Sequence, residues 1–117
     1  MLLVEDEEPL RVAASKMLGS KGFSVIQAGD GSTAIDLIRT QEDLKLILLD
    51  LTIPGASSRE VIAEAQSVRP GVKIILTSAY SQLQSTRDLD ALQICGFIRK
   101  PYSLLDLAQL LSDTFYR

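Results

Sequence analysis

Residues 46–50 read LILLD, four consecutive apolar residues that end at an aspartate. A strand with one solvated face would alternate apolar and polar residues, so a run that is apolar at every position predicts a strand buried on both faces. Such strands belong to parallel sheets covered by helices on both sides. Residues 46–49 therefore indicate the interior of an α/β sheet, and Asp50 lies where this strand ends.

The alternation of strand and helix continues in both directions from this segment. Short apolar runs predict further strands at 2–4, 23–26, 72–77 and 94–98. Apolar residues at helical spacing follow each strand, at 10–18, 34–38, 61–68, about 82–92 and 104–115. The segment near 82–92 carries the weakest helical pattern because few of its residues are apolar. Five strand–helix units predict one α/β domain over residues 1–117, and they permit the flavodoxin-like strand order 2-1-3-4-5.

Polar residues at the start of the predicted helices support this division. Ser57 with Glu60, and Ser103 with Asp106, have the spacing of a capping box, in which a side chain accepts a hydrogen bond from a free backbone N–H of the first turn. Asp30 is placed to begin the second helix in a similar way.

The composition narrows the possible functions. The chain of 117 residues has a net charge of −3 and no histidine, which excludes histidine catalysis and histidine metal sites and argues against nucleic-acid binding by this domain. It has no apolar run of about 18 residues and no signal-peptide pattern at its start. Cys95 is its one cysteine and cannot form an internal disulfide. We therefore expect a cytoplasmic domain without membrane contact, and a monomer or weak dimer.

Residues capable of chemistry follow four of the predicted strands. Glu5 and Asp6 follow the first strand, Asp50 the third, Ser78 the fourth and Lys100 the fifth. In an open α/β sheet, ligands bind at the carboxyl ends of the strands, next to the point where the strand order reverses. In the order 2-1-3-4-5, strands 1 and 3 are neighbours. The three carboxylates would then meet in one pocket, with the lysine and the hydroxyl at its rim.

Three carboxylates in one pocket require a proton or a cation. An all-oxygen site without His or Cys suits a hard ion, Mg²⁺ before Ca²⁺. Lys100 would add a second positive charge and Ser78 a hydrogen-bond donor. A carboxylate such as that of Asp50 can act as a nucleophile toward phosphorus, and phosphoryl transfer depends mainly on positioning and charge neutralisation. The group therefore predicts an aspartyl-phosphate site.

Each of these residues also has an ordinary structural interpretation. Acidic residues at 5–8 would stabilise the following helix, because negative charge is favourable near the positive end of a helix dipole. Asp50, Ser78 and Lys100 with Pro101 are each common in turns and loops. It is their shared position at one end of the predicted sheet that favours the functional interpretation.

The sequence resembles the receiver domains of two-component signalling systems along essentially its whole length. The acidic pair of that family is matched by Glu5-Asp6, and its phosphoacceptor stretch by residues 48–55. Ser78-Ala79 matches the switch hydroxyl with its small neighbour, although a register that places Thr77 at the switch is an alternative. Lys100-Pro101 matches the lysine–proline pair after strand 5.

The resemblance implies a role for each matching residue at the acceptor. Asp50 would accept the phosphoryl group. Asp6, Asp50 and the backbone carbonyl of Thr52 would bind Mg²⁺, with Glu5 acting through water because it is longer than the aspartate that the family commonly has. Lys100 would pair with Asp50 and then with the phosphoryl group.

The resemblance also implies a switch. Ser78 would bond a phosphoryl oxygen, and Phe97 would be the aromatic switch residue, acting by its bulk alone because it has no phenolic hydroxyl. The peptide bond before Pro101 would be cis. The switching surface would be the helix 4–strand 5–helix 5 face, made by the helix near 82–92, the strand at 94–98 and the last helix.

The implied partners are a histidine kinase or a histidine phosphotransfer protein, and an effector on the switching face. Apart from its own Mg²⁺-dependent phosphorylation and dephosphorylation, the domain is not expected to be an enzyme. It resembles most the receivers of hybrid sensor histidine kinases. The main alternative is a degenerate receiver that acts only as a protein-docking module. An enzyme of the same fold fits less well. A flavin protein would need a phosphate-binding loop after the first strand, and a phosphatase would need a second acidic residue at the position that Thr52 occupies here.

Overall fold

The computed structural model describes residues 1–78, 94–100 and 102–115, with the backbone alone for residues 78, 114 and 115. The strands are β1 (Leu2–Val4), β2 (Ile26–Ala28), β3 (Leu46–Asp50), β4 (Lys73–Ser78) and β5 (Gly96–Arg99). The helices in the described part are α1 (Glu8–Ser20), α2 (Gly31–Thr40), α3 (Ser58–Val68) and α4 (Leu104–Phe115). The helix predicted near 82–92 lies outside the described residues.

The five strands form one parallel sheet in the order β2-β1-β3-β4-β5. This confirms the predicted flavodoxin-like α/β fold. β3 is the central strand, and each residue from Leu46 to Asp50 is buried, as its unbroken apolar sequence predicts.

Successive residues of a strand point to opposite faces of the sheet, so each strand contributes to two cores. On one face, Leu2, Val4, Ile47 and Leu49 pack with buried residues of α2 and α3. On the other face, Leu3, Leu46, Leu48 and Ile75 pack with buried residues of α1 and α4. The result is a three-layer sandwich in which the carboxyl ends of all five strands open at one edge.

The second strand is the element whose predicted position is wrong. The apolar pattern predicts residues 23–26, whereas β2 spans Ile26–Ala28. Phe23 and Val25 do pack against the core on the α1 side, which explains their apolar character. The ladder of paired residues begins at Ile26, which lies opposite Leu2, and the Ile26 N–H donates to the Met1 carbonyl at 2.9 Å. Burial against the core, rather than strand pairing, therefore explains the apolar pattern at residues 23–25.

Side chains accept hydrogen bonds at the start of three helices, where the sequence predicts caps. The Thr33 N–H donates to Asp30 Oδ1 at 2.7 Å. The Glu60 N–H donates to Ser57 Oγ at 3.2 Å, and the Asp106 N–H to Ser103 Oγ at 3.0 Å. Each bond satisfies a backbone donor that has no partner inside its helix.

Replacing Ser57 by alanine should lower the free energy of unfolding by about 1 kcal/mol, because the Glu60 N–H would lose its acceptor. Urea denaturation would measure the change. Ser112→Ala is the matched control, since Ser112 is exposed inside α4 and alanine is a better helix former there. Equal changes in the two variants would show that the Ser57 cap contributes nothing.

Within the residues that the structure describes, no helix is long and apolar enough to cross a membrane.

Candidate functional site

Three strand ends bring the predicted acidic residues and lysine together. β1 lies beside β3 with Val4 opposite Leu49, so the next residues, Glu5 and Asp50, are neighbours across the two strands. Lys100 directly follows β5. Glu5, Asp6 and Asp50 each offer a carboxylate oxygen, and these oxygens lie within 4.8 Å of one another.

Burial differs within this carboxylate cluster. The Asp50 residue is 1% exposed and Glu5 is 2% exposed, whereas Asp6 is exposed to solvent. Two ionised carboxylates removed from water in contact with each other are costly unless cations or hydrogen bonds compensate them. The surroundings of each carboxylate show how far that compensation goes.

Lys100 is the cation that joins the two buried acids. Its Nζ lies 2.8 Å from Asp50 Oδ2 and 2.5 Å from Glu5 Oε1, and its side chain is only 13% exposed. Burial lowers the pKa of Lys100, but the hydrogen bonds and charges of Asp50 and Glu5 outweigh burial and raise that pKa above its ordinary value. The ammonium group therefore stays charged throughout the neutral range.

Asp50 is held in its ionised form. Burial raises the pKa of its carboxyl group, but hydrogen bonds from Lys100 and Thr52 outweigh burial and bring the pKa below its usual value. The Thr52 N–H and hydroxyl both donate to Asp50 Oδ1, at 3.0 and 3.1 Å, while Lys100 donates to Oδ2. Both oxygens of the carboxylate therefore have donors.

Glu5 is less well compensated. Burial is the main reason that its pKa rises to about 7, the neighbouring charge of Asp50 adds to the rise, and hydrogen bonds from Lys100 and the Glu7 N–H oppose it. Oε2 accepts the Glu7 N–H at 3.0 Å. Oε1 is ion-paired with Lys100 Nζ at 2.5 Å, the same ammonium group that bonds Asp50. Three carboxylates that cluster around one ammonium group fit the demand of a hard divalent cation.

The loop after Asp50 is fixed to the sheet and to α2. The Leu51 N–H donates to the buried Thr77 carbonyl at 2.9 Å. The Gly31 N–H donates to the Pro54 carbonyl at 2.9 Å, and a Cβ at position 31 would overlap the Ala56 carbonyl. The first residue of α2 therefore has to be glycine for this loop to pack where it does.

Several predicted site residues lie partly or wholly outside these contacts. Ser78 ends β4 opposite Arg99, but its hydroxyl, Pro101 and the helix near 82–92 are outside the described part of the molecule. Phe97 lies in β5, half-buried, and packs against the core on the α2 side. The roles of Ser78, Phe97, Pro101 and the Thr52 carbonyl stay predictions.

The structure also shows site contacts that the sequence analysis missed. The Thr52 hydroxyl donates to Asp50, a contact that the spacing could have suggested, because an aspartate side chain commonly accepts bonds from the residue two positions later. Tyr102 lies close enough for the charge of Glu5 to act on it, and burial first, with that charge second, raises its pKa to about 12. Arg11 donates to the Glu5 carbonyl at 3.0 Å. No spacing rule points to Arg11, because its partner is a backbone atom.

Comparison with known proteins finds a matching family and several relatives of this chain. The family model described as the response regulator receiver domain matches residues 1–112. The sensor kinase CckA of Brucella abortus is 29% identical over 114 residues, which are 97% of this chain but 12% of the kinase. Sporulation initiation phosphotransferase F of Bacillus subtilis is 26% identical over 89% of this chain and 83% of its own length.

The fold has close counterparts among solved structures. The chemotaxis response regulator CheY4 of Vibrio cholerae superposes with a TM-score of 0.89 at 21% identity, over 97% of this chain and 96% of its own.

Proposed function

The chain belongs to the response regulator receiver domain family of two-component signalling systems, and from this premise we propose that Asp50 accepts a phosphoryl group from a histidine kinase or a histidine phosphotransfer protein. One observation carries the proposal. The Asp50 carboxylate is buried, ionised and bonded to Lys100, and it lies beside two further carboxylates. The stability of the fold does not require a buried carboxylate at a strand end to lie beside a lysine and two further carboxylates.

The proposed reaction forms a bond between an Asp50 oxygen and phosphorus and breaks the bond between phosphorus and a histidine nitrogen of the partner. Asp50 is the nucleophile, and its low pKa keeps it ready at neutral pH. Lys100 already contacts Asp50, so it is in place to pair with the negative charge that the transfer brings to this pocket.

The same acids would hold Mg²⁺. Asp6 and Asp50 with the Thr52 carbonyl are the proposed ligands, and Glu5 would act through water. The cation, when bound, supplies positive charge to the phosphoryl oxygens. Support comes from the three carboxylates whose oxygens lie within 4.8 Å of one another and from the all-oxygen ligand set.

We further propose the two-state switch that the family resemblance implies. Phosphorylation adds charge and acceptor oxygens at Asp50, and Ser78 and Lys100 would gain a partner only in that state. The effector would bind the face made by residues 82–92, β5 and α4. The domain would catalyse no reaction other than its own phosphorylation and dephosphorylation. It would be a monomer or weak dimer. The resemblance further implies that it is part of a hybrid histidine kinase.

Intact-mass measurement with Mg²⁺ and a small phosphodonor would test the proposal. We expect a mass gain of one phosphoryl group for the wild type, no gain with EDTA, and no gain for Asp50→Asn, because the amide is not a nucleophile. Asp36→Asn is the matched control, since Asp36 is exposed on α2, and it should gain the group as the wild type does.

A wild type that takes no phosphoryl group from the small donor would next be titrated with beryllofluoride, which mimics the phosphorylated state without a kinase. If that ligand also failed to bind, the docking-module interpretation would replace the phosphoacceptor.

A further inference from the structure

Arg11 connects α1 to the end of β1, next to the carboxylate cluster. Its Nη1 donates to the Glu5 carbonyl oxygen at 3.0 Å, and its Nε donates to Gln27 Oε1 at 3.2 Å. Gln27 lies in β2 and in turn donates from Nε2 to Ser15 Oγ at 3.2 Å. The guanidinium group is therefore held by Gln27 while it bonds the backbone that leads into Asp6.

Asp6 depends on that backbone for its position. Its carboxylate makes no hydrogen bond or ion pair with the residues that the structure describes, although one of its oxygens lies within 4.8 Å of those of Glu5 and Asp50. Both the backbone and the side chain of Glu5 are fixed, since its N–H donates to the Ala28 carbonyl at 3.0 Å and its side chain is buried. The carbonyl that Arg11 bonds belongs to the peptide group directly before Asp6. The orientation of this peptide group determines where the Asp6 side chain can reach.

We propose that Arg11 is a positioning residue that pre-organises Asp6 for the divalent cation. The inference rests on the cation site of the proposed function and adds a residue that does not itself touch the cation. Groups that orient metal ligands without binding the metal typically change metal affinity by about 10-fold or more. Arg11 would act in this way through a backbone carbonyl rather than through a ligand side chain.

The sign of the effect separates positioning from simple electrostatics. A positive charge near a cation site repels the incoming ion, so removing that charge alone would tighten Mg²⁺ binding. Loss of positioning would instead weaken binding, because Asp6 would have to be ordered when the ion binds. The two mechanisms predict opposite directions for the same substitution.

Gly29 allows a second and independent perturbation. A Cβ at position 29 would come within 2.9 Å of Arg11 Nη1, and the near atoms all belong to the end of this flexible side chain. Gly29→Ala should therefore move the guanidinium group away from the Glu5 carbonyl without removing its charge. The residue is not among the glycines with positive φ, so alanine is compatible with its backbone.

The test is a calorimetric Mg²⁺ titration of the unphosphorylated chain, with urea denaturation of the metal-free proteins beside it. We expect Arg11→Ala to weaken Mg²⁺ binding about tenfold. Arg11→Lys can still donate one bond to the carbonyl and should recover binding to within about threefold of the wild type. Gly29→Ala should weaken binding about threefold, as expected for a displaced rather than deleted donor.

Lys16→Ala is the control for charge. Lys16 is an exposed cation on the same helix with no contact to the cluster, and its removal should leave Mg²⁺ affinity unchanged or slightly higher. Unchanged or tighter Mg²⁺ binding in Arg11→Ala, with a wild type that binds, would overturn the positioning role and leave the cation site intact. A wild type that binds no Mg²⁺ would overturn both the site and the inference.

The Gly29→Ala variant decides the matter if Arg11→Ala does not fold. Weaker Mg²⁺ binding by a Gly29→Ala protein whose urea midpoint equals that of the wild type would support positioning, because a purely structural role would move the midpoint first. Unchanged Mg²⁺ binding by that protein would overturn it.

Discussion

Replacing Lys100 by methionine should lower the free energy of unfolding by about 3 kcal/mol at pH 8 without divalent cations. Methionine keeps most of the apolar stem but removes the charge that pairs with both Glu5 and Asp50. Those two carboxylates are buried and would then repel each other without a cation between them. The value lies at the lower end for a broken buried ion pair because Lys100 retains some exposure to water, 13% of its side chain.

Urea denaturation in EDTA would measure this loss, with Lys45→Met as the matched control. Lys45 is exposed just before β3, so its replacement should change the free energy of unfolding by less than about 0.5 kcal/mol. Adding Mg²⁺ should restore part of the stability of Lys100→Met, because a cation would again stand among the acids. Equal losses in the two variants would mean that the buried pairs contribute nothing net.

The position of the carboxylate cluster follows from the sequence because topology and residue type combine there. The apolar run at 46–49 predicts the central strand, and the end of that strand places Asp50 at the edge where ligands bind. Glu5 follows the neighbouring strand and Lys100 the last one. The strand order alone is therefore enough to predict that these three residues lie close together, and the alternation of strands and helices permits that order.

Other features depend on quantities that no sequence pattern carries. The limits of β2 depend on its register with β1, and the bond between Arg11 and the Glu5 carbonyl depends on a side-chain rotamer and a backbone acceptor. The sequence predicts that Glu5 lies at a metal site, but it gives no measure of how completely the sheet buries that side chain. Burial is the main cause of the raised pKa of Glu5, so this pKa could be found only from the structure.

That raised pKa leads to the second large expected effect, in which Glu5→Gln stabilises the metal-free protein much more at pH 8 than at pH 5. The pKa of Glu5 rises from 4.5 to about 7 on folding, so between these values the folded state binds its proton more tightly than the unfolded state does. Stability from this group is therefore greatest at low pH and falls as the pH rises toward 7. Above pH 7 the folded protein carries the full cost of a buried charge.

Glutamine removes that cost and the ion pair with Lys100, but it keeps the other close contact of the side chain. Its side-chain carbonyl can still accept the Glu7 N–H, and Asp50 remains as the partner of Lys100. Lys100 and Asp50 keep their charges between pH 5 and pH 8, because the pKa of the lysine is raised and that of the aspartate is lowered. Glu5 is thus the member of this charged group that accounts for a difference between the two pH values.

We expect Glu5→Gln to raise the free energy of unfolding by about 2 kcal/mol at pH 8. At pH 5 the wild-type side chain is largely protonated in the fold, so the gain should fall to about a quarter of its size at pH 8. Urea denaturation in EDTA at both pH values would measure it, with the exposed Glu42→Gln as control. A gain of equal size at pH 5 and pH 8, or a loss at pH 8, would show that Glu5 is not the uncompensated charge of this site.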